Sequence, residues 1–455
     1  MNLSLARIAG FIAATGEYDE RALARGYSID SRTVQNGDLF FAVKGEHLDG
    51  HDFVEQALSK GAVGAIVRKD QLSRYSEKAS LLAVADTLSA LQSLATAVRK
   101  LWGKTAIGIT GSMGKTTTKE AVSHLLSVRH RVHRSKGNFN NHFGLPLGLL
   151  TLEPEYDLAV IEMGMSHAGE IAALARIAEP NEGVVTSVGP VHLEYFDSIA
   201  GIARAKYELI EAIPPGGTIV LNADDEYVSQ FGRDFKGKVI LFGLKMTADV
   251  RAENIEALGP EGTRFDLICQ GLRQTVTSPL LGTHNVYNVL AATAVALDHA
   301  ITPSEVAAAL PTLEPGDKRG QVVQLGNITI LNDCYNSSPK ALMAAVDTLA
   351  GMPAGRRIVV AGEMLELGAT GQQLHRECGR YIARKQIDFL LGVRGLAMPM
   401  VEAAVAAGMK AEFTATPEEA GEWLVRHTRD GDVVLLKASR GVKLEKALDR
   451  WKLST

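Results

Sequence analysis

The sequence predicts an α/β protein of three domains: a small N-terminal α/β domain, a central domain with a mainly parallel sheet, and a C-terminal Rossmann-like open α/β domain. The length of 455 residues suits about three domains of ordinary size. Short apolar, β-branched runs alternate with helical runs, which is typical of parallel sheets covered by helices. A polar stretch with Pro and Gly, residues 314–320, indicates a linker. We place the domains at residues 1–102, 103–315 and 316–455.

The composition excludes several classes of protein. The chain is 46% hydrophobic and 22% charged, as globular proteins are, and its net charge of -4 lacks the basic excess of a nucleic-acid binder. The three cysteines are far apart and form no Cys-x-x-Cys pair, so neither a disulfide framework nor a thiolate metal site is indicated. No stretch approaches the length of a transmembrane helix. We therefore expect a cytoplasmic protein without a nucleic-acid partner or a membrane span, and we take it to be a monomer.

The N-terminal segment carries β-rich runs at 38–43, 62–67 and 81–84 and helical runs at 53–60 and 87–101. Its densest polar stretch flanks the first of these strands. An Arg fork and a Ser hydroxyl can hold an anionic ligand, although solvated loops would look the same in sequence. The candidate residues of the two loops are Asp30, Ser31, Arg32, Gly45, Asp49 and His51.

Residues 105–126 indicate a phosphate-binding strand, loop and helix, and hence a central sheet of the P-loop ATPase kind. The helix starts near Lys115, and its first backbone N–H groups have no partners inside the helix, so they can bind phosphate oxygens. Lys115 is placed to reach the β- and γ-phosphates of ATP or GTP, and the Thr116 hydroxyl can ligate Mg²⁺. Ile109 stands where the strict Walker A pattern has its first glycine, so the loop belongs to a variant class. The loop residues are Gly111, Ser112, Met113, Gly114, Lys115, Thr116 and Thr117.

Two further side chains follow strands of the predicted central sheet, whose other strands we place at 157–162, 183–188, 218–222 and 239–242. Glu162 ends one strand and His192 follows another, so both should lie at the carboxyl edge where ligands bind in such sheets. Glu162 is an expected partner of Mg²⁺, whereas His192 is as suited to hydrogen bonding as to coordination. Lys206, on an amphipathic helix, would ordinarily be a solvated charge.

Polar residues also open the helix that follows an expected antiparallel excursion at 251–281. His284, Asn285 and Asn288 lie within its first turns, and the two amide side chains share a face that can contact a heterocycle.

The C-terminal segment has strands at 328–331, 357–361, 389–391 and 433–436, with polar loops after them. Asp333 can bind ribose hydroxyls, Tyr335 can stack on a base, and Lys437 with Arg440 can receive a carboxylate.

These motifs occur together in a known family. The chain resembles the Mur ligases of peptidoglycan synthesis in the motifs GSMGKTTTKE, GNFNNHFGLPLGLL, IEMGMSHAGEI, SVGPVHLEYF with ARAKYE, GTHNVYNVLAA, NDCYNSSP and LLKASRGVKLE. Within that family the resemblance is greatest to the members that add D-alanyl-D-alanine to UDP-N-acetylmuramoyl-tripeptide. It runs from about Ser28 to the last helix and is weakest over the first twenty residues and over 251–281.

The resemblance implies roles for the candidate residues. Thr116 and Glu162 would hold one Mg²⁺, His192 would help to hold a metal, and Lys206 would be carbamylated by CO₂ to become an anionic oxygen ligand. The catalytic set is then Lys115, Glu162, His192 and Lys206. The nucleotide would lie among His284, Asn285, Asn288, Arg319, Asp333 and Tyr335, and the N-terminal loops would face the uridine nucleotide of the acceptor. Asn140 and Asn141 resemble the substrate-side loop of the family.

The implied activity is ATP-dependent amide ligation through an acyl phosphate. Three alternatives fit less well. The family member that adds a diamino acid carries Asp-Asn-Pro-Arg, where this chain has ELG at 366–368. Folylpolyglutamate and cyanophycin synthetases share the central domain but do not account for the DSR and DGHDF loops. A nucleotide-driven switch or transport ATPase would need a basic surface or membrane segment that the sequence lacks.

Overall fold

The N-terminal domain is built on a small parallel sheet. The structure is a computed structural model, and it describes residues 1–76, 80–191 and 193–453. A short antiparallel pair precedes a four-stranded parallel sheet in the order β3-β4-β5-β6. The strands are β1 (Leu3–Ser4), β2 (Leu23–Ala24), β3 (Gly26–Ser28), β4 (Asp38–Phe41), β5 (Gly64–Arg68) and β6 (Leu81–Val84), and the helices are α1 (Leu5–Ile12), α2 (Val54–Ser59) and α3 (Thr87–Trp102).

The central domain carries a nine-stranded sheet in the order β15-β14-β13-β12-β11-β10-β7-β9-β8. Its strands are β7 (Thr105–Thr110), β8 (Val132–Arg134), β9 (Leu158–Glu162), β10 (Glu182–Val185), β11 (Thr218–Asn222), β12 (Lys238–Gly243), β13 (Val250–Ala257), β14 (Thr263–Cys269) and β15 (Leu272–Ser278). Its helices are α4 (Lys115–Leu126), α5 (Gly144–Leu150), α6 (Glu170–Ala178), α7 (Ile199–Ala212), α8 (Thr283–Asp298) and α9 (Pro303–Ala309). The strands from β7 to β13 pair in parallel, and β13, β14 and β15 form the antiparallel excursion that the sequence predicted.

The C-terminal domain is a six-stranded open sheet in the order β16-β17-β21-β18-β19-β20, parallel except for β16. Its strands are β16 (Gln321–Leu325), β17 (Ile328–Asn332), β18 (Arg356–Gly362), β19 (Phe389–Val393), β20 (Ala411–Thr414) and β21 (Asp432–Lys437). Its helices are α10 (Pro339–Ala350), α11 (Gly371–Ala383), α12 (Ala397–Ala406), α13 (Pro417–His427) and α14 (Glu445–Lys452). The three-part α/β prediction is confirmed, whereas strands β1, β2, β3, β8, β16 and β20 were not predicted.

The hydrophobic cores divide the molecule differently from the sheets. One cluster runs from Leu3 to Phe231 and joins the N-terminal domain to one face of the central sheet. A second lies between the other face and helices α4 and α8, and the C-terminal domain has clusters of its own. The N-terminal and central domains therefore share apolar packing. Within the described ranges, no helix has the length and apolar character needed to cross a bilayer.

Candidate active site

The loop between β7 and α4 is held in a fixed shape by the segment after β10. The N–H of Ser112 donates to the carbonyl of Ser187 at 2.8 Å, and the Thr186 hydroxyl donates to the carbonyl of Met113 at 2.5 Å. Gly114, the residue before the helix, has φ +83°, and a Cβ there would lie 2.2 Å from Asn288 Oδ1. A Cβ on Gly111 would lie 1.8 Å from the Thr186 hydroxyl. Both positions require glycine, so the turn that aims the first N–H groups of α4 depends on them.

Lys115 begins α4 and lies over the loop. Its Nζ donates to the carbonyl of Gly111 at 2.8 Å. Burial lowers the pKa of the Lys115 amine, with Glu162 opposing and Arg319 adding to that shift. The side chain is therefore a cation in a poorly solvated position, and an anionic phosphate group would be a better partner than the carbonyl that it now contacts.

Thr116 and Glu162 form the oxygen pair expected of a Mg²⁺ site. The Thr116 hydroxyl donates to Glu162 Oε2 at 2.7 Å, and the Asn140 amide donates to Oε1 at 2.8 Å. Among the described residues, no three His, Cys, Asp or Glu side chains gather into a preformed metal site. Mg²⁺ in nucleotide sites takes only one or two protein oxygens and completes its shell with phosphates and water. The pair fits that mode of binding.

Lys206 lies inside helix α7 and is not the solvated charge that its sequence context suggests. It is only 2% exposed, and of the described residues none pairs with its Nζ. Burial lowers the pKa of the Lys206 amine well below 10.5, and the charge of Lys115 adds to the shift. Those conditions favour the neutral amine. His192, the other predicted metal ligand on this side, lies outside the described residues.

The amides at the start of α8 bind other parts of the protein. Asn285 Nδ2 donates to the carbonyl of Leu281 at 2.9 Å, and Asn288 Nδ2 donates to Asn285 Oδ1 at 2.9 Å. Thr118 of α4 donates to Asn288 Oδ1 at 3.2 Å. Asn288, which also bonds to Asn285, thus joins α8 to the phosphate-loop helix, a use that the sequence did not predict. His284, which directly precedes Asn285, is exposed to the cleft between the domains; partial desolvation by the cleft walls lowers the pKa of its ring, with Asp333 opposing and Lys437 adding to the shift.

Charges at the carboxyl edge of the C-terminal sheet already have partners. Lys437, 4% exposed, donates to Asp333 Oδ2 at 2.5 Å, and Arg440 donates to Glu445 Oε1 at 2.5 Å. Lys437 and Arg440, which we predicted to receive a carboxylate, therefore already contact carboxylates of the protein in this conformation.

The ring of Tyr335 also has a partner. The Arg319 guanidinium lies 3.9 Å from the ring centroid and covers one of the two faces on which a base could stack. Arg319 would have to move before a base could stack on that face.

The N-terminal loops pair mainly within themselves. Arg32 forms a two-pronged contact with Asp30, at 2.9 and 2.8 Å, and Ser31 donates to Gln56 at 2.7 Å. His51 is buried: its Nδ1 lies 2.6 Å from Asp49, and its Nε2 accepts from a backbone N–H. His51 therefore shapes the loop and does not face a ligand. Arg32, with its side chain 83% exposed, is the residue of this set best placed to meet one.

The two asparagines of the predicted substrate-side loop have different partners. Asn140 binds Glu162, as described above, whereas Asn141 Oδ1 accepts from the N–H groups of Phe143 and Gly144 at 3.2 and 2.8 Å. Asn141 therefore caps helix α5.

A buried lysine, Lys119, was missed from the sequence. It contacts Glu162 at 3.8 Å and two carbonyls of the following loop. The available signal was its position four residues after Lys115, on the same face of α4.

Three family models match the chain in succession: the Mur ligase catalytic domain at 24–99, the Mur ligase middle domain at 109–296, and the Mur ligase glutamate ligase domain at 318–440. A Bacillus subtilis protein named UDP-N-acetylmuramoyl-tripeptide--D-alanyl-D-alanine ligase is 35% identical over 430 residues, covering 94% of this chain and 93% of its own. The chain belongs to the Mur ligase family.

Solved Mur ligases have the same architecture. The crystal structure of MurF from Acinetobacter baumannii superposes with a TM-score of 0.89 at 29% identity, covering 100% of this chain and 99% of its own. MurF ligase from Thermotoga maritima, solved in complex with ADP, gives a TM-score of 0.82 at 29% identity over 95% and 98% of the two chains. The resemblance inferred from the motifs is thereby confirmed, as is the assignment to ATP-using carbon–nitrogen ligases.

Proposed function

We propose that this Mur ligase adds D-alanyl-D-alanine to UDP-N-acetylmuramoyl-tripeptide, using ATP and releasing ADP and phosphate to give the UDP-muramoyl pentapeptide. The observation that carries the proposal is the convergence of Lys115, Thr116 and Glu162 at one sheet edge, between an N-terminal domain with polar loops and a C-terminal domain. The name of the Bacillus subtilis relative, which matches along nearly the whole chain, supports the choice of substrates.

The first step is attack of the tripeptide carboxylate on the γ-phosphate of ATP. The N–H groups at the start of α4 bind phosphate oxygens, and the Lys115 ammonium leaves the Gly111 carbonyl to contact the transferring group. Thr116 and Glu162 would hold Mg²⁺, which when bound neutralises charge on the phosphates. The products of this step are an acyl phosphate and ADP.

In the second step, the amine of D-alanyl-D-alanine attacks the acyl carbon and phosphate leaves. Acyl phosphates hydrolyse readily, so the site must exclude water. The C-terminal domain is already close to the loop, since Ser338 at the start of α10 lies 3.6 Å from the sulfur of Met113. A Cβ on Gly282 would lie 2.2 Å from the hydroxyl of Thr348, so the two domains approach tightly there as well. Further closure of this cleft would shield the intermediate.

We assign the remaining predicted residues to substrate binding. The nucleotide would lie among His284, Asn285, Asn288, Arg319, Asp333 and Tyr335. The loops at 30–32 and 45–49 would face the uridine nucleotide of the acceptor, with the buried His51 only shaping the second loop. A base that stacks on the Tyr335 face now covered by Arg319 would displace the guanidinium, so nucleotide binding on that face should bring Arg319 towards the phosphates. The domain boundaries, the cytoplasmic location and the monomeric state stay predictions.

We also propose that Lys206 carries a carbamate and contributes oxygen to a second Mg²⁺. A neutral amine adds to CO₂ and loses a proton to form the anionic carbamate. The burial of Lys206, its lowered pKa and the nearby cation Lys115 all favour that change from cation to anion.

Phosphate release tests the reaction. It should require both UDP-N-acetylmuramoyl-tripeptide and D-alanyl-D-alanine, and it should fall to background with the UDP-muramoyl dipeptide as acceptor. A Lys115→Met sample prepared in parallel identifies release by contaminating ATPases. Equal release with and without D-alanyl-D-alanine would refute the ligase proposal.

The carbamate has its own test. With ¹³C-bicarbonate, wild-type protein should give a carbamate carbon resonance that Lys206→Ala lacks, and acetate or formate should restore part of the activity that Lys206→Ala loses. A wild-type spectrum without the resonance, together with near-normal activity of Lys206→Ala, would overturn the assignment.

A further inference from the structure

Lys119 is a fully buried cation for which the steps above give no role. Its exposed fraction is 0%, and it lies one helical turn after Lys115 on α4. Its Nζ donates to the carbonyls of Ser135 and Gly137 at 2.8 Å each and lies 3.1 Å from Glu120 Oε1. Burying a charge is costly unless it is paired and hydrogen-bonded, so this position is constrained by its surroundings.

The partners of Lys119 belong to separate segments that meet at Glu162. Glu162 Oε2 lies 3.8 Å from Lys119 Nζ and accepts from Thr116, while Oε1 accepts from Asn140. Glu162 itself is 1% exposed. The carboxylate assigned above to Mg²⁺ is thus fixed by one cation and two neutral donors.

The loop at 135–141 is fastened to the same carboxylate and its strand. The N–H of Glu162 donates to the Ser135 hydroxyl at 3.3 Å, and the N–H of Gly164 donates to the carbonyl of Asn140 at 2.8 Å. Together with the two carbonyls bound by Lys119, these contacts hold both ends of the loop against α4 and β9.

We propose that Lys119 is a positioning residue that fixes this loop and the Glu162 carboxylate to the phosphate-loop helix, and that its charge weakens the hold of Glu162 on a divalent cation. The inference rests on the proposed function, in which Glu162 meets Mg²⁺. A cation 3.8 Å from a carboxylate in a buried site lowers the attraction of that carboxylate for a second cation. The Lys119 ammonium group therefore orders the loop at 135–141 and at the same time lowers the affinity of the site for Mg²⁺.

Glu120 determines how strongly the Lys119 charge acts on Glu162. It pairs with Lys119 at 3.1 Å and with Arg134 at 2.8 Å, so it neutralises part of the Lys119 charge. Removing the Glu120 charge should strengthen the effect of Lys119 on Glu162, whereas removing the Lys119 charge should abolish it.

Lys119→Met keeps the apolar stem and removes the ammonium group. In the nucleotide-free protein, hydrogen exchange of the amides at 136–141 should accelerate by at least about tenfold, because the two carbonyl contacts are lost. In calorimetric titrations of Mg²⁺ into protein saturated with ADP, the variant should bind Mg²⁺ at least about threefold more tightly. Glu120→Gln should shift Mg²⁺ affinity the other way while leaving the loop protected.

Lys104→Met is the matched control. Lys104 Nζ also donates to two backbone carbonyls, those of Pro154 and Tyr156 at 2.7 and 2.6 Å, but it lies away from Glu162. Its variant should leave both the exchange of 136–141 and Mg²⁺ affinity unchanged.

Lys119→Met and Glu120→Gln are expected to change Mg²⁺ affinity in opposite directions. General destabilisation of the site would instead weaken Mg²⁺ binding in both. Weaker Mg²⁺ binding in Lys119→Met would overturn the inference, and so would unchanged hydrogen exchange at 136–141 in that variant. If Lys119→Met does not fold, the test is Glu120→Gln, and unchanged or tighter Mg²⁺ binding in that variant would overturn the inference. Failure of the wild-type protein to bind ADP with Mg²⁺ would instead count against the proposed function.

Discussion

The central and C-terminal domains both gather charged side chains at the carboxyl ends of parallel strands, but the charges are satisfied differently. In the central domain, Lys115 contacts a backbone carbonyl, and Lys206 is buried without a partner in the described part of the chain. In the C-terminal domain, Lys437 is paired with Asp333 at 2.5 Å. The first edge has charges that an incoming anion can satisfy, whereas the second must exchange existing partners before it can bind one.

This difference separates two uses of a buried lysine. A lysine without an anionic partner is costly to keep charged in the apoprotein: its ammonium becomes favourable when a phosphate arrives, and, under the proposed function, its neutral amine is free to react with CO₂. A cation in an ion pair supports the fold, and its removal leaves the other charge buried and unpaired. Substitutions at the two edges should therefore affect different properties of the enzyme.

The largest expected effect is on turnover at the central edge. Lys115→Met should lower kcat/KM by about a thousandfold, because a charge that stabilises the transferring phosphoryl group is lost. Its free energy of unfolding should change by less than about 1 kcal/mol. Steady-state phosphate release and urea denaturation measure the two quantities, and a variant with near-normal turnover would show that Lys115 only supports the loop.

At the C-terminal edge we expect loss of stability. Lys437→Met should destabilise the C-terminal domain by about 3 kcal/mol, because Asp333 loses its buried partner. Two of the three tryptophans, Trp423 and Trp451, lie in the core of that domain, so fluorescence in urea follows its unfolding. A stable Lys437→Met protein would mean that the pairs at this edge are exchangeable without cost, and the contrast between the edges would disappear.

A smaller effect should appear in the pH dependence of stability at Lys206. Its pKa in the folded protein lies below 10.5, so between the two values the unfolded chain binds more protons and wild-type stability rises with pH. In bicarbonate-free buffer, Lys206→Met should therefore be more stable than wild type at low pH, and the gain should fade as the pH approaches 10.5. Urea midpoints of both proteins across this range test the sign, and a gain that grows with pH would contradict it.

The smallest effect concerns Arg440. Its side chain is 53% exposed in the pair with Glu445, so solvent and salt screen the contact. Arg440→Gln should lower the free energy of unfolding by no more than about 1 kcal/mol, and the loss should shrink in high salt. A loss as large as that of Lys437→Met would place Arg440 among the groups that hold the domain together.

Local signals carried most of the correct predictions. Strand β7, the loop glycines and the start of α4 at Lys115 are adjacent in sequence, so the chain shows them without knowledge of the fold. The missed strands β3, β8, β16 and β20 all lie at sheet edges, and β1 and β2 are only two residues long, so none has the continuous apolar run of a buried strand.

The remaining site features depend on contacts between distant segments. Lys119 meets Ser135 sixteen positions away and Glu162 far beyond it, and spacing along the helix does not reveal either partner. His51 was predicted to face a ligand because it lies in a polar stretch of the sequence. In the structure its side chain is buried, and its Nε2 accepts a hydrogen bond from the backbone N–H of Arg68. A sequence pattern shows which residue type stands at a position. It does not show which other groups of the protein already form hydrogen bonds or ion pairs with that side chain.

The hydrophobic cluster shared by the N-terminal and central domains has a consequence during synthesis. Helices α5 and α6 of the central domain pack on α3, so the apolar face of the first domain is not covered until the chain has been synthesised to Ala178 at the end of α6. At roughly 5 to 20 residues per second, this delay lasts on the order of ten seconds. The nascent N-terminal domain therefore spends that interval with an exposed apolar surface, and a fragment ending at residue 102 should be recovered mainly as aggregates.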